Sequence, residues 1–451
     1  MTSVRAGLAS SVGRRLLGGT FANLLDKLAL LAVQLVAIPL LSHHWGAEGY
    51  GTWLMLMTIP TYVAVSDFGL GTAAGVEITQ RVARGDMTGA LTAFQSAWGL
   101  VFAILAVIAL ATGVYSTLVI STVIGGSADI AIAVLLVALY AIAAVQMTTL
   151  AIVYRATHKF ARAMLISAVV ICLEGVALIC VVLLGGHIVE AALAMLAVRV
   201  AGWGATYADL RRLEPWVRLG IGSADLTTVR RLAHPSLAAL SLTLASSISL
   251  QGMVLVLGWV SGPAVAAVFG ATRFLARIPL QFSGLVVRAS LPELTRAQVE
   301  SDHTLVRRLK RLNIASSLAP TLPLIPILAV FGPALLRGMT GSELDAQWWL
   351  FTLLATTTML GALWQAVASP LVAANQQSRF AYAYAALSVA AIAAVIVPGV
   401  PPLAAAATAA LAAELAVTLL VFRLDRQVAG HATDNCVDEP AETPHTPSAR
   451  Q

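Results

Sequence analysis

The chain has 451 residues, of which 59% are hydrophobic and 11% charged, with a mean hydropathy of +0.85. A soluble globular domain carries about a quarter charged residues, so the composition excludes one and leaves an all-α integral membrane protein. The 28 basic against 22 acidic residues do not imply a nucleic-acid partner, because the positive charges fall in short loops between apolar stretches rather than on one soluble face.

Arg5, Arg14 and Arg15 precede the first apolar run. That run is too long for a signal peptide and no small-residue cleavage site follows it, so it reads as a retained first helix. Stretches of spanning length then predict about twelve transmembrane helices at residues 18–41, 51–74, 91–115, 130–153, 163–185, 189–208, 233–258, 264–290, 313–336, 347–372, 380–399 and 402–422. Twenty-two Lys and Arg fall in alternate connecting segments and the tails, one (Arg337) in the opposite loops, and five within spans. That bias places both termini in the cytoplasm. The expected organisation is a cytoplasmic N-terminus (1–17), an N-terminal lobe of helices 1–6 (18–208), an inter-lobe loop (209–232), a C-terminal lobe of helices 7–12 (233–422) and a disordered tail (423–451).

The chain repeats. YGTWLMLMTIP (Tyr50–Pro60) aligns without gaps on FGATRFLARIP (Phe269–Pro279), and each copy opens the second helix of a six-helix half. Six is even, so the halves enter the membrane in the same sense, and a substrate path is expected between the lobes. Leu54 and Thr58 occupy the repeat positions of Arg273 and Arg277, so the second half supplies a positive charge that its twin lacks.

Those arginines mark the candidate site. Arg273, Arg277, Gln281 and Arg288 share an arc of about 80° on helix eight, and an intramembrane charge is expensive enough to be functional by default. Helix one adds Asn23, Lys27 and Gln34 within about 40° of one another, with Asp26 about 60° to one side. Asp26 either neutralises a basic neighbour or, with Asp67, holds a coupling ion; for Asp67 a capping or turn role is the simpler reading. Glu174 and Arg199 read as an interhelical ion pair, whereas Glu414 has no partner that the sequence names. Pro320, Pro323 and Pro326 require helix nine to kink. The cysteines, Cys172, Cys180 and Cys436, read as small apolar fillers, and the adjacent His43 and His44 as solvated residues without metal-ligand spacing. No Walker A, HExxH, GxSxG or CxxC sequence occurs, so an enzyme is not expected and no cofactor is called for.

LLSHHWGAEGYGTW (40–53), SDFGLGTA (66–73), ATHKFARA (156–163) and PEL (292–294) together resemble the polysaccharide-transporter, Wzx-like branch of the MOP flippase superfamily. The resemblance implies a V-shaped, two-lobed bundle in the bacterial inner membrane. It implies a monomer that moves an undecaprenyl-diphosphate-linked saccharide between leaflets by alternating access, beside a polysaccharide polymerase and chain-length regulator. It also implies a cationic inter-lobe cavity with an arginine of helix eight, here Arg273 or Arg277. Independently, arginine holds diphosphate oxygens by bidentate, charge-assisted hydrogen bonds. A cation or drug antiporter of the same fold, with acidic residues dominating the cavity, is the alternative; a membrane transferase or ligase would need a large outer loop.

Overall fold

A computed structural model of the protein describes residues 2–65, 70–120, 128–231, 247–300, 302–374, 376, 378–397 and 399–434, without the side chains of 2–26, 70–73, 118–120, 249–250, 282, 285, 288, 289, 292, 299, 378 and 428–434. It is all-helical among the described residues. The order is α1 (Thr2–Leu56), α2 (Ile59–Val65), α3 (Leu70–Ala83), α4 (Met87–Val114), α5 (Ala128–Ala156), α6 (Phe160–Leu183) and α7 (Ile188–Leu213). It continues with α8 (Met253–Ser261), α9 (Pro263–Val299), α10 (His303–Thr321), α11 (Leu324–Thr340), α12 (Trp348–Ala373), α13 (Ser378–Val395) and α14 (Pro402–Asp434). π-helical turns lie at Tyr115–Ile120 and Ile248–Gly252. Nine helices are long and apolar enough to cross a membrane among the described residues.

Most of the expected spans recur, with differences that have local causes; of the span expected at 233–258, residues 233–246 lie outside the described residues. α1 runs through the first expected helix and into the start of the second, interrupted at Gly46, whose φ of 68° and ψ of −179° are open to glycine and costly for other residues. Gly262, which opens α9, adopts a similar conformation (φ 90°, ψ 160°), and Pro263 follows it at the first helical position, where no amide donor is needed. A glycine break thus precedes both copies, at positions three residues out of the repeat's register. The copies then diverge. The first breaks at Met57–Thr58 before α2, whereas the second runs unbroken through Val299. Helix two, expected as one span over 51–74, is therefore segmented, and it resumes as α3 as far as Ala83. The prolines of helix nine act as expected: α10 ends at Thr321, Pro323 caps α11, and the chain bends between them. Cys172 and Cys180, expected as fillers, are both exposed on the bundle's outer face.

Two ends can be told apart by their packing. The Trp45 indole N–H donates to the Gly186 carbonyl at 3.0 Å, and a Cβ on Gly341 would meet His43 Nδ1 at 3.6 Å. The turns at Gly46, Gly186, Gly262 and Gly341 therefore share one end. There a single apolar core joins both halves, through Ile38, Leu41, Tyr50 and Trp53 on one side and Leu257, Ala266, Phe269 and Phe351 on the other. Approach is close enough that a Cβ on Gly51 would lie 1.8 Å from the Pro263 carbonyl oxygen, and one on Gly270 would lie 2.7 Å from Leu54. The two glycines aligned by the repeat face the opposite half.

Elsewhere the cores are separate. One holds Phe94, Leu150, Tyr154 and Leu210 from the first half; the other holds Trp364, Phe380, Tyr384 and Val421 from the second. The segment after α7 is strapped to the first half. Gln95 donates to the Arg218 carbonyl at 3.0 Å and accepts from the Ser223 amide at 2.6 Å, Lys159 pairs with Glu214 at 2.7 Å, and Arg231 pairs with Glu77 at 2.5 Å.

Candidate functional site

α9 places Arg273 and Arg277 one turn apart on the wall of a small, partly open pocket. The other walls come from α8 (Met253), α12 (Leu354, Thr357, Thr358), α13 (Ser388, Ala391, Ile392) and α14 (Ala410, Ala413, Glu414). All the lining residues belong to the second half. An aromatic face and a carboxylate thus accompany the arginines within one half.

Each arginine has a distinct surrounding. The Arg273 guanidinium carbon lies 5.4 Å from the Phe269 ring centroid, a cation–π distance. Arg277 lies within electrostatic reach of Glu414 and Tyr384, and the two guanidiniums are near enough to repel each other. Neither makes an ion pair within 4 Å among the described residues, so both are held at membrane depth by weaker forces than a direct carboxylate contact.

Glu414, which the sequence leaves unpartnered, accepts a 2.6 Å hydrogen bond from the Trp364 indole N–H. Trp364 is in turn packed on Phe380 and Tyr384, with centroid distances of 5.7 and 5.3 Å. A tryptophan inside an apolar span needs an acceptor for its N–H, and that requirement is the signal that would have led to Glu414. The hydroxyls on the wall are already committed as donors: Thr357 to Leu353, Thr358 to Leu354 and Ser388 to Tyr384, each to a carbonyl at 2.7–2.9 Å. To a ligand they offer lone pairs. The arginines supply the donors.

The remaining candidates lie apart from this cavity or beyond description. Lys27, half-buried, and Gln34, exposed, belong to α1 and do not line it. Gln281 is exposed one turn past Arg277 and is likewise absent from the walls. Asn23, Asp26 and Arg288 fall in helices, but their side chains lie outside the described residues, as does Asp67 entirely. Gln251 donates to the Thr61 hydroxyl at 3.2 Å, which ties the second half to α2.

A second buried charge cluster sits in the first half. Arg199 meets Glu174 at 2.6 Å, donates to the Tyr140 hydroxyl at 2.9 Å and lies 5.0 Å from the Tyr140 ring centroid. Tyr140 also donates to Glu174 at 3.2 Å. Opposite charges thus meet at close range, as the ion-pair reading expects.

No protein-family model matches the chain, and no curated protein matches it in sequence. Its fold, however, is found among solved structures. An inward-facing multidrug resistance MATE family transporter of the MOP superfamily superposes with a TM-score of 0.72 at 14% identity, covering 91% of this chain and 99% of that one. An outward-facing multidrug resistance transporter of the same family gives 0.65 at 14% identity, over 93% and 96%. A MATE crystal structure in complex with MaD3S gives 0.64 at 13%, over 93% and 96%. At these identities the likeness is one of fold: the chain has a helical architecture similar to that of MATE transporters of the MOP superfamily.

Proposed function

We propose that the protein is an alternating-access transporter whose ligand is anionic: an undecaprenyl-diphosphate-linked saccharide carried from the cytoplasmic to the periplasmic leaflet of a bacterial inner membrane. The observation that supports this reading is the pair Arg273 and Arg277, two guanidiniums on a membrane-depth cavity with no ion-pair partner within 4 Å among the described residues. Phosphate oxygens match their fork geometry, and a charge-assisted bond in low dielectric is stronger than in water.

Glu414 on the same wall favours a second reading. With the Phe269 ring and three hydroxyl lone pairs, it would suit an organic cation. Charge preference separates the two. For the anionic ligand, Arg277→Ala should cut transport about ten- to a hundred-fold. Arg277→Lys should be intermediate because the fork is lost while the charge survives, and Arg277→Glu should be inactive. Arg337→Ala, at the far end and exposed, is the control. Surface polysaccharide is measured in a strain lacking the chromosomal copy, with membrane abundance checked for each variant. A cationic ligand predicts that Arg277→Glu is tolerated and Glu414→Gln is inactive. Full polysaccharide from an Arg273→Ala, Arg277→Ala double variant at normal abundance would sink the anionic reading.

A further inference from the structure

The outer surface of α10 changes character along its length. Its buried face is polar, with Asn313, Ser317 and Thr321 each at most 2% exposed. Its exposed face is apolar, with Leu312 and Leu322 53% and 56% exposed and Ala315 and Ala319 also open. A helix with its polar side inward and its apolar side outward faces lipid. Arg307, Arg308 and Arg311 continue the same exposed arc, spanning about 100°, directly before Leu312. From Leu312 to Leu322 the stripe is about 15 Å long, half of a hydrocarbon core of about 30 Å. The arginines therefore cap a lipid-facing helix surface at headgroup depth.

Nearby acids are already engaged. Asp302 accepts from the Thr304 and Leu305 amides at the helix start, and Asp425 is paired with Lys310. That ion pair brings the end of α14, with exposed Arg423 and Arg426, alongside the patch. Arg307 donates to the His303 carbonyl at 3.2 Å, while Arg308 and Arg311 have no hydrogen bond or ion pair among the described residues. We infer that this surface is a binding site for an anionic phospholipid, its phosphate held by Arg308 and Arg311 and its acyl chains lying along Leu312, Ala315, Ala319 and Leu322. Charge complementarity selects the headgroup and the apolar stripe selects a lipid over free phosphate. The site is separate from the Arg273–Arg277 cavity and does not depend on what that cavity carries.

The test uses the purified full chain in neutral detergent, titrated with dioctanoyl phosphatidylglycerol or dioctanoyl phosphatidylcholine. Wild-type protein should bind the anionic lipid in preference to the zwitterionic one, with binding weakened at 0.5 M salt and undisturbed by equimolar inorganic phosphate. R308Q/R311Q should bind the anionic lipid about 30-fold more weakly, while R84Q, an exposed arginine elsewhere on the same side, should bind as wild type. Equal affinity in R308Q/R311Q, an equal loss in R84Q, or displacement by inorganic phosphate would each overturn the proposal. If R308Q/R311Q does not fold, wild type decides alone: no preference for the anionic lipid, or preference unchanged at high salt, also overturns it.

Discussion

Asn313 shows how one residue can organise a helix face that lipid would otherwise leave undefined. Its amide donates to Ser290 at 2.8 Å and to Ser369 at 3.0 Å, and Ser290 donates back to its carbonyl oxygen at 3.0 Å, so α9, α10 and α12 meet at one buried point. Asn313→Leu should destabilise the protein by about 1–3 kcal/mol, because the Ser290 and Ser369 oxygens each lose a donated bond in a buried site, although their hydroxyls still reach the Val287 and Ala366 carbonyls. Adding Ser290→Ala and Ser369→Ala should recover most of that loss in a detergent melting curve. Arg199→Ala is the harsher change: it leaves Glu174 charged and uncompensated in the interior, at a cost of about 3–5 kcal/mol. Glu174 with Arg199 is legible in sequence, since two opposite charges at matching depth on adjacent spans have one economical arrangement. Glu414 is not, because its partner is a tryptophan fifty residues away whose side chain reads as apolar.

On the strap after α7, hydrogen bonds from Thr227 and Thr228 hold the Asp225 carboxyl at about 2, below its ordinary 3.8. A value depressed by folding means that these bonds are intact above about pH 4 and are lost as the pH falls towards 2. Pepsin should therefore cleave the 214–231 segment progressively across that window, and Asp225→Asn should be cleaved without the same pH dependence. Uniform resistance down to pH 2 in the parent protein would refute the assignment.

At the scale of elements, the period of hydrophobicity reveals most helices but not where they break. Pro320, Pro323 and Pro326 are breaks that sequence chemistry dictates, because each lacks a backbone donor, and the α10–α11 boundary lies among them. Replacing all three with alanine should leave insertion intact and slow transport, with protein abundance and surface polysaccharide as the two readouts. Unchanged transport would assign the prolines to packing. The break at Met57–Thr58 also has a proline beside it, Pro60, but the aligned Pro279 lies within an unbroken helix, so the proline alone does not decide. The break follows from tertiary packing: Thr58 is fully buried and its hydroxyl donates to the Met55 carbonyl at 2.7 Å. That burial also answers why the repeat carries no arginine there. An arginine at Thr58 would meet a closed core, so Thr58→Arg should fail to accumulate rather than rescue Arg277→Ala.

At the scale of the whole molecule, labelling tests orientation. Cysteine at Ser342 should react from outside the cell, and cysteine at Thr88 or Ala224 only after permeabilisation; all three positions are exposed. Outside labelling of Ala224 would break the proposed topology. The two-half organisation is legible because each half begins its second helix with the same aromatic-glycine signature. Which half owns the arginine cavity is not, since helical angles relate residues on one helix and say nothing of which neighbour that face meets.

The shared apolar core at the Gly46–Gly262 end bears on permeability. A membrane protein with buried arginines and carboxylates at mid-depth offers protons and ions a path unless some layer stays dry, and here that layer is Tyr50, Trp53, Leu257 and Phe269, each at most 4% exposed. Wetting one such side chain costs about 1.5–3 kcal/mol, so spontaneous flooding of the whole layer is rare. Leak-tightness thus rests on hydrocarbon contact between the halves and not on the charged cavity beneath. Gly51→Ala, whose Cβ would collide with the Pro263 carbonyl, should part that layer, and reconstituted vesicles should then lose a proton gradient faster than those holding the parent protein.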